Sequence, residues 1–325
     1  MREFTIGKND AGQRLDRFVA KNLPLLPPAL LQKYIRLKRI KVNGKGSKRD
    51  VRLETGDVLQ LYINDEFFDK PNEENLFLTV FKPQLNIVYE DENLLLVDKR
   101  PGMSVHADET EKVNTLINHI QAYLYQKREW NPKWENAFAP ALCNRIDRNT
   151  GGIVILAKNA EALRLMNEAI RENRVHKKYL CAVHGKLTGE KTLTAYHRKD
   201  YKTNTVKIFP SEVPGSKKII TGYRALSYSG KHDLTLLEIK LITGRTHQIR
   251  AHMAYIGHPL LGEGKYAQNA ADRKMGYSSQ ALYSYSVSFE TGGALDYLTG
   301  REFKVDMSHI PFLALFSTLL GDVKA

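Results

Sequence analysis

Cysteine is scarce in this chain. Only Cys143 and Cys181 occur among 325 residues, and neither belongs to a Cys-x-x-Cys pair. A structural zinc site needs a full set of Cys and His ligands, and a small secreted scaffold needs several disulfides. The sequence therefore predicts neither a structural metal site nor a disulfide framework.

Long apolar segments are also missing. No run reaches the length of about 18 apolar residues that a transmembrane helix requires. Residues 1–18 contain no apolar core of the kind found in signal peptides. We expect a cytoplasmic protein that is not inserted into a membrane.

Acidic residues are outnumbered by basic ones. The chain has 49 Lys and Arg against 36 Asp and Glu, a formal net charge of +13. Such a balance favours a polyanionic partner, most often nucleic acid or an anionic membrane surface. A soluble enzyme with a basic surface has the same composition, so charge alone does not decide between these classes.

The positive charge is concentrated near the N-terminus. Between Lys33 and Arg52 there are nine Lys or Arg residues and one acidic residue, Asp50. A charge run is usually only a solvated face, but these cations fall on one predicted helix and the hairpin after it, which favours a phosphate-binding patch. The residues predicted to contact RNA or DNA there are Lys33, Arg36, Lys38, Arg39, Lys41 and Lys45.

Composition divides the chain into two predicted domains and a linker. Residues 1–63 form a small basic α/β domain, 64–84 an acidic and aromatic linker, and 85–325 a larger domain. Apolar spacing and turn signals predict the elements of the small domain. They are helices at 14–22 and 29–37, a strand at 40–42, a turn at Asn43-Gly44, and two strands within 51–63.

The larger domain mixes strands and helices without strict βαβ alternation. Strands are predicted at 87–89, 94–98, 153–157, 179–183, 235–242 and 282–289. Helices are predicted at 115–126, 160–173 and 247–256, the second of them capped by Asn159. This pattern favours an α+β fold, a large, mostly antiparallel mixed sheet with flanking helices.

The run NRIDRNTGGIVILAKN, residues 144–159, has the composition of a catalytic loop. Asp147 lies between Arg145 and Arg148 on a turn-prone segment that leads into the strand at 153–157. Loops anchored on scaffold strands are where catalytic groups tend to lie. The neighbouring cations are expected to keep Asp147 ionised, and therefore able to act as a nucleophile or a base.

Two further segments contain chemically active residues. His176-Lys-Lys-Tyr179 leads into a strand, and Thr243-Gly-Arg-Thr-His-Gln-Ile-Arg250 contains Arg245 just before a predicted helix. Arg245 is a candidate partner for a carboxylate or a phosphate, with a structural ion pair as the alternative. His247 and His252 are five positions apart, which does not fit a zinc helix, and we interpret the histidines as core or surface residues.

These segments occur in the order found in one enzyme family. NRIDRNTGGIVILAKN (144–159), KKYLCAVHG (177–185), LITGRTHQIRAHMAYIGHPLLGEGKY (241–266) and QALYSYSVSF (280–289) together resemble the pseudouridine synthases of the RluA family. Asn144 and Gly151 depart from that family's loop, which has histidine and serine there. Residues 12 to about 62 resemble the S-four-like RNA-binding domain that precedes many of its members.

The resemblance implies an isomerase that converts uridine in RNA to pseudouridine with no cofactor and no metal. Asp147 would be the nucleophile or base, with Arg245 paired to it. Tyr179 would stack on the target base and help to deprotonate carbon 5, Leu282 would pack behind the ring, and Arg145 would enter the space left by the flipped nucleotide. The implied partner is large-subunit ribosomal RNA, with transfer RNA as the alternative, and the implied state is a monomer.

Two other functions remain open from the sequence. A non-catalytic RNA-binding or ribosome-assembly factor on the same fold does not require Asp147, Tyr179 and Arg245 together. A hydrolase using Asp147 would want a second carboxylate, and none lies within the ten positions before it. Trp130 and Trp134 are weaker candidates for lining an RNA cleft.

Overall fold

The strands form two separate sheets in the computed structural model, which describes residues 1–68, 72–132 and 136–316. The smaller sheet belongs to the N-terminal part of the chain and is antiparallel, in the order β1-β4-β2-β3. Its elements are β1 (Arg2–Thr5), α1 (Leu15–Asn22), α2 (Pro28–Arg36), β2 (Ile40–Val42), β3 (Lys45–Gly46) and β4 (Val58–Leu61).

Both N-terminal helices and strand β2 were predicted, and the structure confirms them. Asn43 and Gly44 have φ angles of 51° and 75°, the left-handed conformation of a tight hairpin turn between β2 and β3. One prediction in this region was wrong, and one strand was missed. Only β4 forms within 51–63, since Arg52 makes just an isolated bridge, and β1 was not predicted.

The N-terminal sheet and helices share their own core. α1 buries Leu15, Phe18 and Val19, and α2 buries its apolar face against the same cluster, which extends to Phe68. Burying an apolar side chain of this size contributes about 1.5–3 kcal/mol. The division of the chain at residues 63 and 84 stays a prediction.

The segment after the N-terminal sheet contains two 3₁₀ helices, Asp65–Phe68 and Asn72–Thr79. Phe77 is buried and its ring centroid lies 5.1 Å from that of Trp130. Trp130 is therefore a core residue, and the prediction that it lines a cleft is wrong. Trp134 lies outside the described residues.

The larger sheet has eleven strands, nine of them in the order β11-β10-β12-β13-β9-β14-β8-β6-β5. In the described part of the chain its ladders are antiparallel except for the short pairing of β8 with β14, which confirms the predicted fold class. Its strands are β5 (Asn86–Glu90), β6 (Leu94–Lys99), β7 (Ala141–Leu142), β8 (Gly151–Ala157), β9 (Val175–His184), β10 (Glu190–Asp200), β11 (Thr205–Phe209), β12 (Lys217–Ser229), β13 (Leu234–Leu241), β14 (Leu282–Phe289) and β15 (Glu302–Lys304).

Four α-helices accompany this sheet in the described part of the chain: α3 (Leu116–Gln126), α4 (Ala160–Arg171), α5 (Gln248–Tyr255) and α6 (Ala270–Lys274). Asn159 Oδ1 accepts a hydrogen bond from the Ala162 amide at 2.8 Å, which confirms the predicted cap of α4. No helix in the described ranges combines the length and the apolar character needed to cross a membrane.

Direct hydrogen bonds join the N-terminal sheet region to the larger one. The amide of Ala160, at the start of α4, donates to Asn9 Oδ1 at 3.2 Å, and Arg164 Nη1 donates to the Ala11 carbonyl at 3.1 Å. Asn136 Nδ2 donates to the Thr5 carbonyl at 2.7 Å. The N-terminal region is therefore bonded to α4 and to the loop that contains Asn136.

Candidate active site

A cavity of about 740 Å³ opens beside the loop that precedes β8. This volume falls within the range of about 300–1,000 Å³ that is usual for ligand sites. The candidate residues that the sequence placed in the larger domain all line it: Arg145, Asp147, Tyr179, Arg245 and Leu282.

Asp147 meets an arginine at the edge of this cavity. Its Oδ2 accepts a hydrogen bond from Arg250 Nη1 at 2.9 Å. The Asp147 side chain is 28% exposed, against 11% for Arg250. Oδ1 has no hydrogen bond within the described residues, so one carboxylate oxygen is anchored and the other is open to a ligand.

The expected pairing of Asp147 with Arg245 is wrong. Arg250 lies in the first turn of α5 and points its guanidinium at Asp147. Arg245 lies ahead of that helix, exposed at the cavity wall, and its side chain has no bonding partner in the described part of the chain. The segment 243–250 contains two arginines five positions apart, and only the start of the helix decides which one turns inward.

The buried carboxylate of Glu263 binds the guanidinium of Arg250. Arg250 Nε and Nη2 donate to the two oxygens of Glu263 at 2.7 and 2.8 Å, and Glu263 is 1% exposed. Burial acts to raise the pKa of Glu263, but the bonds and charge of Arg250 outweigh it, and the pKa is lowered overall. This bidentate pair fixes the guanidinium in one orientation, and sequence reasoning did not find it.

His247 also lies beside the Asp147–Arg250 pair. This position differs from our interpretation of it as a core or surface residue. Its backbone is left-handed, with φ 50°, and its Nδ1 lies 2.6 Å from the Tyr266 hydroxyl oxygen. Its Nε2 lies 3.9 Å from Asp147 Oδ2. Burial lowers the pKa of His247 to about 4, so near neutral pH its ring adds no charge beside the Asp147–Arg250 pair.

The buried side chain of Lys99 anchors the loop that contains Asp147. It is 1% exposed, and its Nζ donates to the carbonyls of Arg100, Met103 and Arg148 at 3.0, 3.0 and 2.9 Å. Burial lowers the pKa of Lys99 to about 7, against the opposing effect of nearby carboxylates. The bond to Arg148, next to Asp147, ties the loop to the end of β6.

The two departures from the family's loop have structural counterparts. Asn144 Oδ1 accepts a hydrogen bond from the Ile155 amide at 2.8 Å and so joins the loop to β8. A Cβ at Gly151 would lie only 2.2 Å from Tyr283 Cε2. The Tyr283 hydroxyl donates to Asp98 Oδ1 at 2.7 Å, so its ring occupies the space of a side chain at 151.

Tyr179 and Leu282 form the apolar part of the cavity wall. They lie on the paired strands β9 and β14 and are 5% and 6% exposed. Burial raises the pKa of Tyr179 to about 12, so its hydroxyl stays protonated at neutral pH. Arg145, by contrast, is exposed, and its side chain has no partner among the described residues.

The predicted basic patch divides into two groups. Lys33 and Arg36, with Lys48 and Arg49, line a groove of about 530 Å³ beside α2. The other predicted cations, Lys38, Arg39, Lys41 and Lys45, do not line it. Two of these lie over aromatic rings, Arg39 over Tyr34 at 5.3 Å and Lys41 over Tyr62 at 5.1 Å.

Known proteins share this sequence and fold. The family model for RNA pseudouridylate synthase matches residues 93–255. An uncharacterized RNA pseudouridine synthase of Mycoplasma genitalium is 32% identical over 98% of this chain and 94% of its own length. Ribosomal large subunit pseudouridine synthase C of Buchnera aphidicola is 31% identical over 88% of each chain.

A solved structure shows the same fold at lower identity. The human RNA pseudouridylate synthase domain containing 1 protein aligns with a TM-score of 0.57 and 22% identity, over 72% of this chain and 88% of its own. The family match covers half of the chain, and the Mycoplasma relative extends the similarity along nearly all of it. The chain therefore belongs to the RNA pseudouridine synthase family and is an isomerase that converts uridine in RNA to pseudouridine.

Proposed function

We propose that the RNA modified by this enzyme is large-subunit ribosomal RNA. The observation that carries the proposal is the similarity to proteins named ribosomal large subunit pseudouridine synthase C, which spans about nine-tenths of both chains. That extent exceeds the share of the chain that residues 85–325 make up, so the similarity includes part of the N-terminal region as well as the catalytic sheet. A shared arrangement of both regions favours a shared class of RNA.

The catalytic group in this proposal is Asp147. Pseudouridine formation breaks the bond between uracil N1 and ribose C1′ and joins C5 of the same uracil to C1′. A carboxylate serves this exchange either by attacking C1′ or by removing a ribose proton. Both routes need an ionised oxygen that faces the substrate, and Asp147 offers its open Oδ1 while Arg250 holds Oδ2.

Tyr179 and Leu282 are proposed to hold the uracil while it turns. Their side chains offer an apolar wall near Asp147, and a base that has left its stack needs such a surface. Burial raises the pKa of the Tyr179 hydroxyl, so we propose stacking as the main role of the residue and help in removing the C5 proton as its second role.

The two exposed arginines of the cavity have separate proposed roles. Arg145 is positioned to stack in the space that the flipped nucleotide leaves in the RNA. Arg245, no longer needed beside Asp147, has a free guanidinium for an RNA phosphate. Neither pays the cost of breaking an existing ion pair when RNA binds.

The N-terminal region, residues 1–63, is proposed to be the S-four-like RNA-binding domain. Its groove cations are exposed, as is Lys45 of the β2–β3 hairpin, and all of them are available to RNA phosphates. The same proposal makes the enzyme a cytoplasmic monomer that works without a cofactor or a metal. Sedimentation of the purified protein measures the monomer directly.

The test is position-resolved pseudouridine mapping in cells with and without the gene. We expect pseudouridine to disappear from one or a few positions of large-subunit ribosomal RNA. Wild type should restore it, whereas Asp147→Ala and the isosteric Asp147→Asn should not. Immunoblotting shows that the variants accumulate to wild-type amounts.

Two results would contradict different parts of the proposal. Loss of pseudouridine from transfer RNA alone would overturn the choice of RNA and leave the role of Asp147 intact. Restoration by Asp147→Asn would overturn the role of Asp147 and leave the choice of RNA intact.

A further inference from the structure

The tip of the β10–β11 hairpin presents an aromatic ring to solvent. Tyr201 is 84% exposed and lies in the turn between Asp200, which ends β10, and Thr205, which begins β11. Single exposed apolar residues are common on protein surfaces, so exposure alone gives Tyr201 no function. Its surroundings provide the further evidence.

This hairpin tip borders the catalytic cavity. Lys199 and Asn204, which lie on either side of Tyr201 in the chain, both line the cavity that contains Asp147. A nucleic acid strand that enters the cavity therefore passes the tip. β11 is the edge strand of the large sheet, so the hairpin lies at the border of the sheet.

The tip combines the ring with an excess of positive charge. Lys199 Nζ lies 5.1 Å from the centre of the Tyr201 ring, and Lys202 and Lys207 are exposed nearby. The one carboxylate of the turn, Asp200, accepts hydrogen bonds from the backbone amides of Lys202 and Thr203. A ring flanked by cations at the mouth of a cleft matches the way proteins bind single-stranded nucleic acid, by base stacking and phosphate contacts.

The tip is linked to Arg250 through Lys265 and Glu263. Lys265 Nζ donates to the Asn204 carbonyl at 2.8 Å, and the Lys265 amide donates to Glu263 Oε1 at 2.8 Å. Glu263 in turn holds Arg250, the partner of Asp147. A single lysine therefore connects the hairpin turn to the buried pair that fixes the catalytic carboxylate.

We propose that the β10–β11 hairpin tip is a second RNA-binding element, distinct from the basic N-terminal region. Tyr201 stacks on an unpaired base that neighbours the target uridine, and Lys199 and Lys202 bind the adjoining phosphates. The occupant is a loop or an unpaired strand, because a base in a continuous helix has no free face for the ring. This contact aligns the strand beside Asp147.

The experiment uses RNA from a strain that lacks the gene, labelled with [5-³H]uridine. Tritium leaves C5 when that carbon bonds to the sugar, so released tritium measures turnover whichever RNA is the substrate. Tyr201→Ala is expected to raise KM by roughly 5- to 100-fold, the range for losing one base–aromatic stack, with kcat little changed. Tyr201→Phe keeps the ring and is expected to behave as wild type.

The chain offers a matched control in Tyr228. It is also partly exposed, at 39%, and also has a lysine over its ring, Lys186 at 5.5 Å, but neither residue lines the cavity. Tyr228→Ala is expected to leave KM unchanged. Replacing both Lys199 and Lys202 with Gln is expected to lower the slope of log Kd against log salt by the amount that corresponds to about one to two lost phosphate contacts.

Several outcomes would overturn the proposal. A wild-type KM for Tyr201→Ala means that no base stacks there, and the tip then serves another partner or none. An equal loss for Tyr201→Phe and Tyr201→Ala means that the hydroxyl, rather than the ring, matters. Thermal melting of both variants at the wild-type temperature shows that the comparison concerns folded protein.

Discussion

The catalytic cavity and the N-terminal groove both use arginine and lysine, but under opposite conditions. At the cavity, Arg250 donates hydrogen bonds to both Glu263 and Asp147. Lys99 is buried there and donates to three backbone carbonyls. Around the groove, Lys33, Arg36 and their neighbours are exposed. The cations next to Asp147 are held in place, whereas the groove cations, like the exposed Arg145 and Arg245 of the cavity, are free to bind phosphates.

This difference in confinement predicts a difference in sensitivity. A buried, bidentate ion pair loses much when one partner is removed, because the remaining charge stays desolvated. An exposed cation contributes to RNA affinity through counterion release, a term shared among many similar residues. Single changes at the cavity should therefore affect rate strongly, whereas changes at the groove should affect affinity gradually.

The strongest test of the confined region is Glu263→Gln. The change keeps the shape of the side chain but removes the charge that orients Arg250, so Asp147 loses its fixed position. Misplacing a catalytic group by about 1 Å can cost on the order of 10²-fold in rate, and we expect kcat to fall by about that factor while KM stays near wild type. Tritium release under saturating RNA measures it.

Glu302→Gln is the matched control for that change. Like Glu263, Glu302 pairs with a cation: its carboxylate lies 3.2 Å from the Lys178 ammonium of β9. Glu302 does not line the cavity. Its neutralisation should leave kcat unchanged. An equal fall in kcat for both variants would mean that the loss follows from general destabilisation and not from the orientation of Arg250.

The sequence predicted elements whose pattern is local. β14 was predicted at its observed bounds, because apolar and polar residues alternate between two clear breaks, and α4 was predicted from its Asn159 cap. Residues 190–229 form three strands that were not predicted. β10 and β11 face solvent over much of their length, and their apolar alternation is limited to Leu193 and Ala195 in β10 and to Val206 and Ile208 in β11, which is too short to mark a strand clearly.

The site was predicted only as far as its motifs extend. Asp147 and Tyr179 were found because they lie in distinctive segments, whereas Glu263 reaches Arg250 only through folding of the segment after α5. The choice between Arg245 and Arg250 depends on where α5 begins, after the left-handed residue His247. No residue pattern encodes that start clearly enough to predict it.

A second prediction concerns how tightly the Asp147 loop is packed. Gly151→Ser restores the residue usual in the family, but its Cβ would collide with Tyr283. Overpacking of this kind costs about 1–3 kcal/mol, so we expect the free energy of unfolding to fall by that amount and kcat to fall with it. Urea unfolding and tritium release measure the two effects.

The collision with Tyr283 can be separated from other effects of the serine. In a Tyr283→Leu background the ring edge is gone, so adding Gly151→Ser should cost much less than it does in wild type. The double-mutant cycle measures this coupling. The same cost in both backgrounds would show that Tyr283 is not the reason for glycine at this position.

The smallest effect per residue is expected at the N-terminal groove. Replacing Lys33, Arg36 and Lys48 with Gln removes three cations that line it, and replacing Lys38, Arg39 and Lys45 removes three that do not. If the groove holds the RNA backbone, the first variant should flatten the dependence of log Kd on log salt by about 0.7–0.9 per lost contact. The second should flatten it less, although both lose the same net charge.

Filter binding across a salt series measures the slopes, and kcat at saturating RNA should stay at the wild-type value in both. Equal slopes would mean that RNA is attracted to the whole basic face, since a bound backbone in the groove would distinguish the two sets.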